Sequence, residues 1–538
     1  MPAEQATIVS TSSIYWAEQE VVERTAEGVW AQFSQEQGTR PRVRAIFLRR
    51  LLLGLSAPEG GDRSPSLPRI AGVRVRGAYI EGKLDLSDCT GPEGTPLTAL
   101  ALEECDIPDA IDLSHSRLVR FSVGSSRISH IRAHGTRLAE GLDFSHVSSY
   151  EASINNGEEE NHIAWIDSHG ARIGGHVDGR AARLRAPPPR PAADVLPGMQ
   201  RYALRLSGSE IRGGIDLMDS RAFGGVNFSD SDICGEVWLR SAIVTSGESD
   251  AFRGQSARFA SVLVLDDGFV ADGSIWLLAA RISGDLQCGA ATLKSEAKDG
   301  SGHSLVADNA EFGGQVNLST AKVSGQVVLS GTRIGRDLNL NGVSALGQIG
   351  LAAAKIGGDL NCASAILENR TEDGTGTTLE ASNAEIGGNV FISGASVSGR
   401  IGLNNIKIGG DFICEHSTFA NRTDDGTGDA VSAELAQIGG GALLRGASFN
   451  AQGRVDLIGA TIRGDVDCSD ASFENRTNEG DGTALTFERT TIGGRSFYKE
   501  RNFGLPAKSA CTGRTSMEAF TAPARVSKTE QRTAAAAL

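Results

Sequence analysis

Large apolar residues return every eleven positions over much of this chain, and few folds accept that period. Between 384 and 419 they stand at Ile386, Val390, Ile392, Val397, Ile401, Leu403, Ile408, Phe412, Cys414 and Phe419, in steps of 4, 2 and 5 repeated three times. A small or apolar residue lies two positions before each anchor, at Ala384, Ala395 and Ile406. The same unit runs through Phe312, Val323, Ile334, Ala345, Ile356 and Leu367, and earlier through Ile211, Ile215 and Leu217 and through Ala78, Ile80, Leu84 and Leu86. Copies at Ile107, Leu118, Ile128 and Leu138 are looser and sometimes ten apart, and the slip at Ile275 reads as a bulge or widened corner. Each unit holds two x-apolar-x-apolar steps, the period of a strand with one face inward. Gly and Asn between the steps supply sharp corners. An amphipathic helix repeat would need spacings of 3 and 4, less Gly and fewer β-branched residues.

Insertions indicate how many units close one turn. Residues 294–304, 368–378, 420–430 and 474–484 each add eight residues after an anchor (Leu293, Leu367, Phe419, Phe473), and six, four and four units separate them. Every interval is even, so two units per coil would bring all four loops to one edge. The expected fold is all-β: a right-handed, roughly quadrilateral β-helix of 22 residues per coil, built from two 11-residue units, with a helical N-terminal cap. Residues 71–500 would hold about 17 coils, a rod of order 80 Å long. Residues 1–70 read as cap and linker, with helical patterns at 13–33 and at 43–53, the second amphipathic and basic. Residues 150–162 and the proline-rich 186–200 interrupt the repeat, and 501–538 read as a disordered tail.

Composition agrees with thin stacked layers: Gly is 67 of 538 residues and aromatics only 5%. The net charge of -14 argues against direct nucleic-acid binding and suits an acidic surface that meets a basic partner. No signal peptide and no transmembrane stretch is legible, so the expected location is cytoplasmic, peripheral to an inner membrane if the basic 40–54 helix makes that contact.

Candidate chemistry is sparse. Cys288, Cys362, Cys414 and Cys468 share one inward position, but two or three coils apart, beyond disulfide or metal-ligand reach, so they read as core. Cys234 is offset and alone, and Cys89 and Cys105 flank an insertion. Asp285, Asp337, Asp359, Asp411 and Asp465 precede inward strands, and Arg281, Arg333, Lys355 and Lys407 stand four residues before several of them; pairing around a corner is expected. His115, His130, His134, His162 and His169 lie in the irregular first half, where neighbours among them would hint at metal or acid–base chemistry. No Gly-rich dinucleotide motif, phosphate loop or nucleophile elbow occurs, and the Gly pairs (Gly174-Gly175, Gly213-Gly214, Gly387-Gly388) read as corners. Catalytic, metal and cofactor residues are therefore expected to be none, which favours a binding role over an enzymatic one and leaves the enzyme question open.

The loops are the best candidate site. They read NRTEDGTG at 369–376, NRTDDGTG at 421–428 and NRTNEGDG at 475–482, with a degenerate copy at 294–302. Asn369, Arg370, Glu372, Asp373, Asn421, Arg422, Asp424, Asp425, Asn475, Arg476, Glu479 and Asp481 would form a periodic polar strip for a partner. A calcium loop and a plain solvent-facing hairpin remain the other readings.

The units GAYIEGKLDL (77–86), GTRIGRDLNL (331–340) and AKIGGDLNC (354–362), with RAIFLRRLLLG (44–54) ahead of the first coil, resemble a bacterial family of long pentapeptide-like repeat proteins often labelled "membrane-associated oxidoreductase". The resemblance covers roughly 40–500 and implies the coil; it carries no redox residue over to this chain. More distant pentapeptide-repeat proteins include acidic rods that mimic DNA and bind type II topoisomerases. The expected function is a non-catalytic binding or scaffolding rod that presents its loops to a protein partner or self-associates. A DNA mimic is the first alternative, and a glycan-active or redox enzyme the second.

Overall fold

The computed structural model describes residues 15–34, 39–55, 72–150, 163–187, 202–246, 250–294, 302–369, 376–421, 428–475 and 484–497, and the backbone of 515–516. The chain is nearly all β, a parallel β-solenoid of about 14 turns averaging about 26 residues. It divides into two compact units, residues 1–194 with 203–213 and residues 195–202 with 214–538.

One coil of the second unit defines its geometry. Lys355–Ile356 lies on a first face, Leu360–Asn361 on a second, Ile366–Glu368 on a third and Thr377–Glu380 on a fourth. Glu385–Ile386 then returns to the first face and pairs in parallel with Lys355–Ile356. Four strands per coil agree with the quadrilateral section. Ile334 pairs with Ile356, and Ile356 in turn with Ile386; the second step is the longer because that coil carries an insertion. The bare coil, from Ile334 to Ile356, is therefore the expected pair of eleven-residue units. Insertions raise the average to about 26 residues.

The Ile-Gly-Gly-Asp signature follows from close stacking. A side chain on Gly357 would collide with the carbonyl oxygen of Gly335 on the preceding coil. A side chain on Gly358 would collide with the Asp337 carboxylate, which accepts the backbone N–H of Asp359 at 2.8 Å. The ladder repeats: Asp359 accepts from Asn389 N (2.6 Å), Asn389 from Asp411 N (2.8 Å), Asp411 from Gly441 N (2.6 Å) and Asp465 from Arg495 N (2.7 Å). These side-chain oxygens thus bond the next coil's backbone. The corner pairing expected with Arg281, Arg333, Lys355 and Lys407 is not what forms; those cations meet glutamates on neighbouring coils instead.

The interior is stacked columns of Ile, Leu, Val and Ala, nearly all under a few per cent exposed. Each such Leu or Ile contributes roughly 1.5–3 kcal/mol by leaving water. Phe449 sits between Phe419 and Phe473, with ring centroids 5.6 and 5.3 Å away, so aromatic packing is concentrated on one side of the late coils.

In the first unit the repeat is looser, as the sequence suggests: Leu100 pairs with Phe121 and Phe121 with Leu142, steps one residue shorter than that from Ile334 to Ile356. The cap contains helices α1 (Trp16–Glu27) and α2 (Ala45–Leu52). It also supplies two short strands that the sequence did not reveal: Ala31–Gln32 pairs with Val75–Arg76, and Arg42–Arg44 with Tyr79–Glu81. Phe47, Leu48, Leu51 and Leu52 of α2 are buried, and the Arg49 guanidinium donates to the Asp85 carbonyl at 2.7 Å. A fully buried Glu18 on α1 accepts from the Arg44 guanidinium at 2.6 and 2.7 Å and from the Arg44 backbone N–H at 3.1 Å. No helix among the described residues is long and apolar enough to cross a membrane.

Candidate partner-binding faces

The loops leave the second unit along one edge. The strands ahead of them, Thr292–Lys294, Ile366–Glu368, Thr418–Ala420 and Ser472–Glu474, share the third face, and the strands after them, His303–Val306, Thr377–Glu380, Asp429–Ser432 and Leu485–Thr486, share the fourth. Following the register from Leu293 through Val323 and Ala345 to Leu367, then through Val397 to Phe419 and through Ala451 to Phe473, gives separations of three, two and two coils.

Of the strip residues, Asn369, Asn421 and Asn475 are described, and they stand at the loop bases. Asn369 Nδ2 donates to the Thr377 carbonyl at 2.6 Å and Asn421 Nδ2 to the Asp429 carbonyl at 2.7 Å. Asn421 and Asn475 are 4% and 6% exposed, so their amides turn inward rather than outward, and the bonds of Asn369 and Asn421 close two of the loop bases. Gly399 and Gly453 carry φ of 133° and 128° and pass close to the loop-base carbonyls; a side chain on Gly453 would come within 2.9 Å of the Gly428 carbonyl oxygen. Arg370, Glu372, Asp373, Arg422, Asp424, Asp425, Arg476, Glu479 and Asp481 lie outside the described residues.

Beside one loop base, Arg454 Nε donates to Asp429 Oδ1 at 2.7 Å and its terminal nitrogen lies 3.3 Å from Asp456 Oδ2. Asp456 is fully buried; burial pushes its carboxyl above the usual range, against the pull of Arg454.

A feature the sequence reading missed runs along the first face. Arg281, Glu311, Arg333, Lys355, Glu385 and Lys407 follow one another in register on successive coils. Glu311 is shared by Arg281 and Arg333 at 3.5 and 3.4 Å, and Glu385 by Lys355 and Lys407 at 3.0 Å each. Hydrogen bonds from Lys407 and Lys355 hold the Glu385 carboxyl below the usual range. Beside this ladder Gly313, Gly335, Gly357, Gly387, Gly409 and Gly439 form a floor without side chains, and the two together bound an open trough of about 1440 Å³. The signal was present: at Phe312, Ile334, Ile356, Ile386 and Ile408 the next residue is Gly and the preceding one is charged.

Of the histidines, His115, His134 and His169 are brought onto successive coils of the first unit, His115 N–H donating to the His134 carbonyl at 2.7 Å and Gly135 N–H to the His169 carbonyl at 2.9 Å. His134 Nε2 lies 3.0 Å from Asp167 Oδ2, and Asp167 Oδ1 accepts the His169 backbone N–H at 3.2 Å. The bond to Asp167 raises the His134 pKa; burial opposes ionisation of Asp167, but His134 and Arg205 bring its pKa below the usual value. His169 Nδ1 instead meets Ser207, at 2.8 Å to its carbonyl and 3.0 Å to its hydroxyl. His130 stacks on Trp165 at 4.7 Å. Among the described residues no three His, Cys, Asp or Glu side chains converge on a point that could hold a metal ion; His162 lies outside them.

Cys288, Cys362, Cys414 and Cys468 are buried and free, as are Cys89 and Cys105, while Cys234 is exposed. Burial pushes the thiols of Cys362 and Cys468 up to about 12. The four column members are separated by Leu318, Leu340, Ile392 and Leu444 on the intervening coils, which follows from the register.

No protein-family model and no curated protein matches the chain.

Proposed function

We propose that this chain is a non-catalytic binding scaffold that offers its repeated loops to a protein partner. The observation behind this reading is the alignment of the insertions: four loops leave at the corner between the third and fourth faces, at two- and three-coil intervals. Two of them are closed at the base by an Asn-to-carbonyl bond. A rigid stack that holds similar polar loops in a row favours multivalent recognition, since each engaged loop raises the effective concentration of the next. Self-association belongs to the same reading. So do kinship with the pentapeptide-like family and a cytoplasmic setting. Peripheral membrane contact through 40–54 would have to rely on the exposed Ile46 and on basic residues, because most apolar side chains of α2 are buried.

The test is capture from a nuclease-treated bacterial lysate by the full chain and by a variant with 368–378, 420–430 and 474–484 shortened. A protein retained by the first and lost by the second supports the reading; retention of the same proteins by both removes the loops as the binding element.

The DNA-mimic alternative draws on the net charge of -14. Its first face, however, carries more cations than carboxylates, unlike a phosphate backbone. Topoisomerase supercoiling unchanged by excess protein would remove it. Turnover of a glycan, or a bound chromophore, would instead favour the enzyme alternative.

A further inference from the structure

We propose that the trough on the first face of the second unit is a docking groove for an extended acidic peptide, with an anion subsite between Arg333 and Lys355. This surface is separate from the loops, and the inference goes beyond the loop reading.

Charge is the first argument. The trough is lined by five cations (Arg281, Arg333, Lys355, Lys407 and Arg463) and two carboxylates (Glu311 and Glu385), a net positive surface on a chain of -14. Within the ladder the signs run plus, minus, plus, plus, minus, plus. Arg333 and Lys355 are therefore directly opposed on adjacent coils, each turned to its own glutamate on the far side. Like charges in direct register are unfavourable, and a carboxylate set between them relieves the repulsion. Both side chains are mostly exposed, 70% and 59%, so a ligand reaches them.

Shape is the second. From Gly313 to Gly439 the floor crosses six coils, roughly 24 Å at about 4.8 Å per coil, the span of about seven extended residues. The floor amides are already paired between coils, as Gly335 N to Phe312 O and Gly357 N to Ile334 O, both 2.8 Å, so the groove does not recruit a strand by backbone addition. It offers a smooth backbone surface and charged side chains. The lining has one aromatic residue, Phe312, and its ring is buried in the core (3% exposed). Bases and sugars thus find no stacking platform, and Glu311 and Glu385 repel a uniform polyanion. A peptide with spaced acidic residues meets neither obstacle.

The test is fluorescence anisotropy with the full chain and a fluorescein-labelled (Glu-Ser)5 decapeptide at about 50 mM salt, where charge is weakly screened. The (Lys-Ser)5 peptide and a ten-nucleotide oligothymidylate serve as comparisons. Arg333→Gln with Lys355→Gln should weaken the acidic peptide about tenfold or more, while Lys294→Gln with Lys322→Gln, the same charge change on the third face, should stay within about twofold. Unchanged melting curves would show that both variants fold. Shortening the loops should leave this binding intact, which separates it from the lysate experiment. No binding, equal loss in the two double variants, or tighter binding of the oligothymidylate overturns the proposal.

Discussion

Asp337 accepts the backbone N–H of Asp359 on the next coil at 2.8 Å, and its carboxylate fills the space that a side chain on Gly358 would need. A single contact therefore accounts for both the Asp and the second Gly of the repeated signature. Gly358→Ala should destabilise the protein by about 1–3 kcal/mol through overpacking. In an Asp337→Ala background the collision is gone, so the second substitution should cost less than it does alone. A double-mutant cycle on urea midpoints checks this; simple additivity would contradict the shared-volume account.

The loop bases make a second prediction. Asn421→Ala removes the bond to the Asp429 carbonyl. The global cost should be about 1 kcal/mol. The local effect should be larger: cleavage within 422–427 by a nonspecific protease should speed up relative to the 370–375 loop in the same sample.

Glu18 is fully buried and its charge is met by Arg44. Arg44→Ala would strand that carboxylate, and breaking such a pair costs about 3–5 kcal/mol. Amide exchange in α1 should accelerate strongly, whereas amides of the 334–361 coils, far along the chain in the second unit, should keep their protection.

His134 should titrate above the ordinary histidine value of about 6.5, because the protonated ring is bonded to Asp167. A pKa raised in the folded state means that the stabilisation is complete below about 6.5 and is lost as pH rises through the folded value. The Asp167 side of the pair is lost at the acid end, as pH falls through its lowered value. His134 is 43% exposed, so the contribution should stay under about 1 kcal/mol. An NMR titration of His134 in the wild type and in Asp167→Asn reads the shift directly; equal midpoints would contradict it.

Thiol labelling checks the coil itself. In the native protein at mildly alkaline pH, Cys234 should react with maleimide at once. Cys288, Cys362, Cys414 and Cys468 should react only on unfolding, being buried and, for Cys362 and Cys468, having thiols pushed up to about 12. Early labelling of Cys362 would mean that the column is open.

The amino-acid sequence alone determined the coil. Inward residues such as Ile334, Leu338 and Leu340 repeat with a local period, and burial of one face of each strand translates that period directly into strands and corners. The even spacing of the insertions after Leu293, Leu367, Phe419 and Phe473 likewise determined that the loops share an edge. Tertiary structure alone decided what the outward residues meet. Lys355 is close to Asp359 along the chain and far from Glu385, yet it pairs with Glu385 at 3.0 Å while Asp359 turns to the backbone of Asn389. Asn421 likewise turns inward to its own loop base. An inward residue is selected by hydrophobicity, which is visible in one unit. An outward residue is selected by its neighbour on the next coil, whose separation along the chain changes whenever an insertion intervenes, and only the stacked register brings those two together.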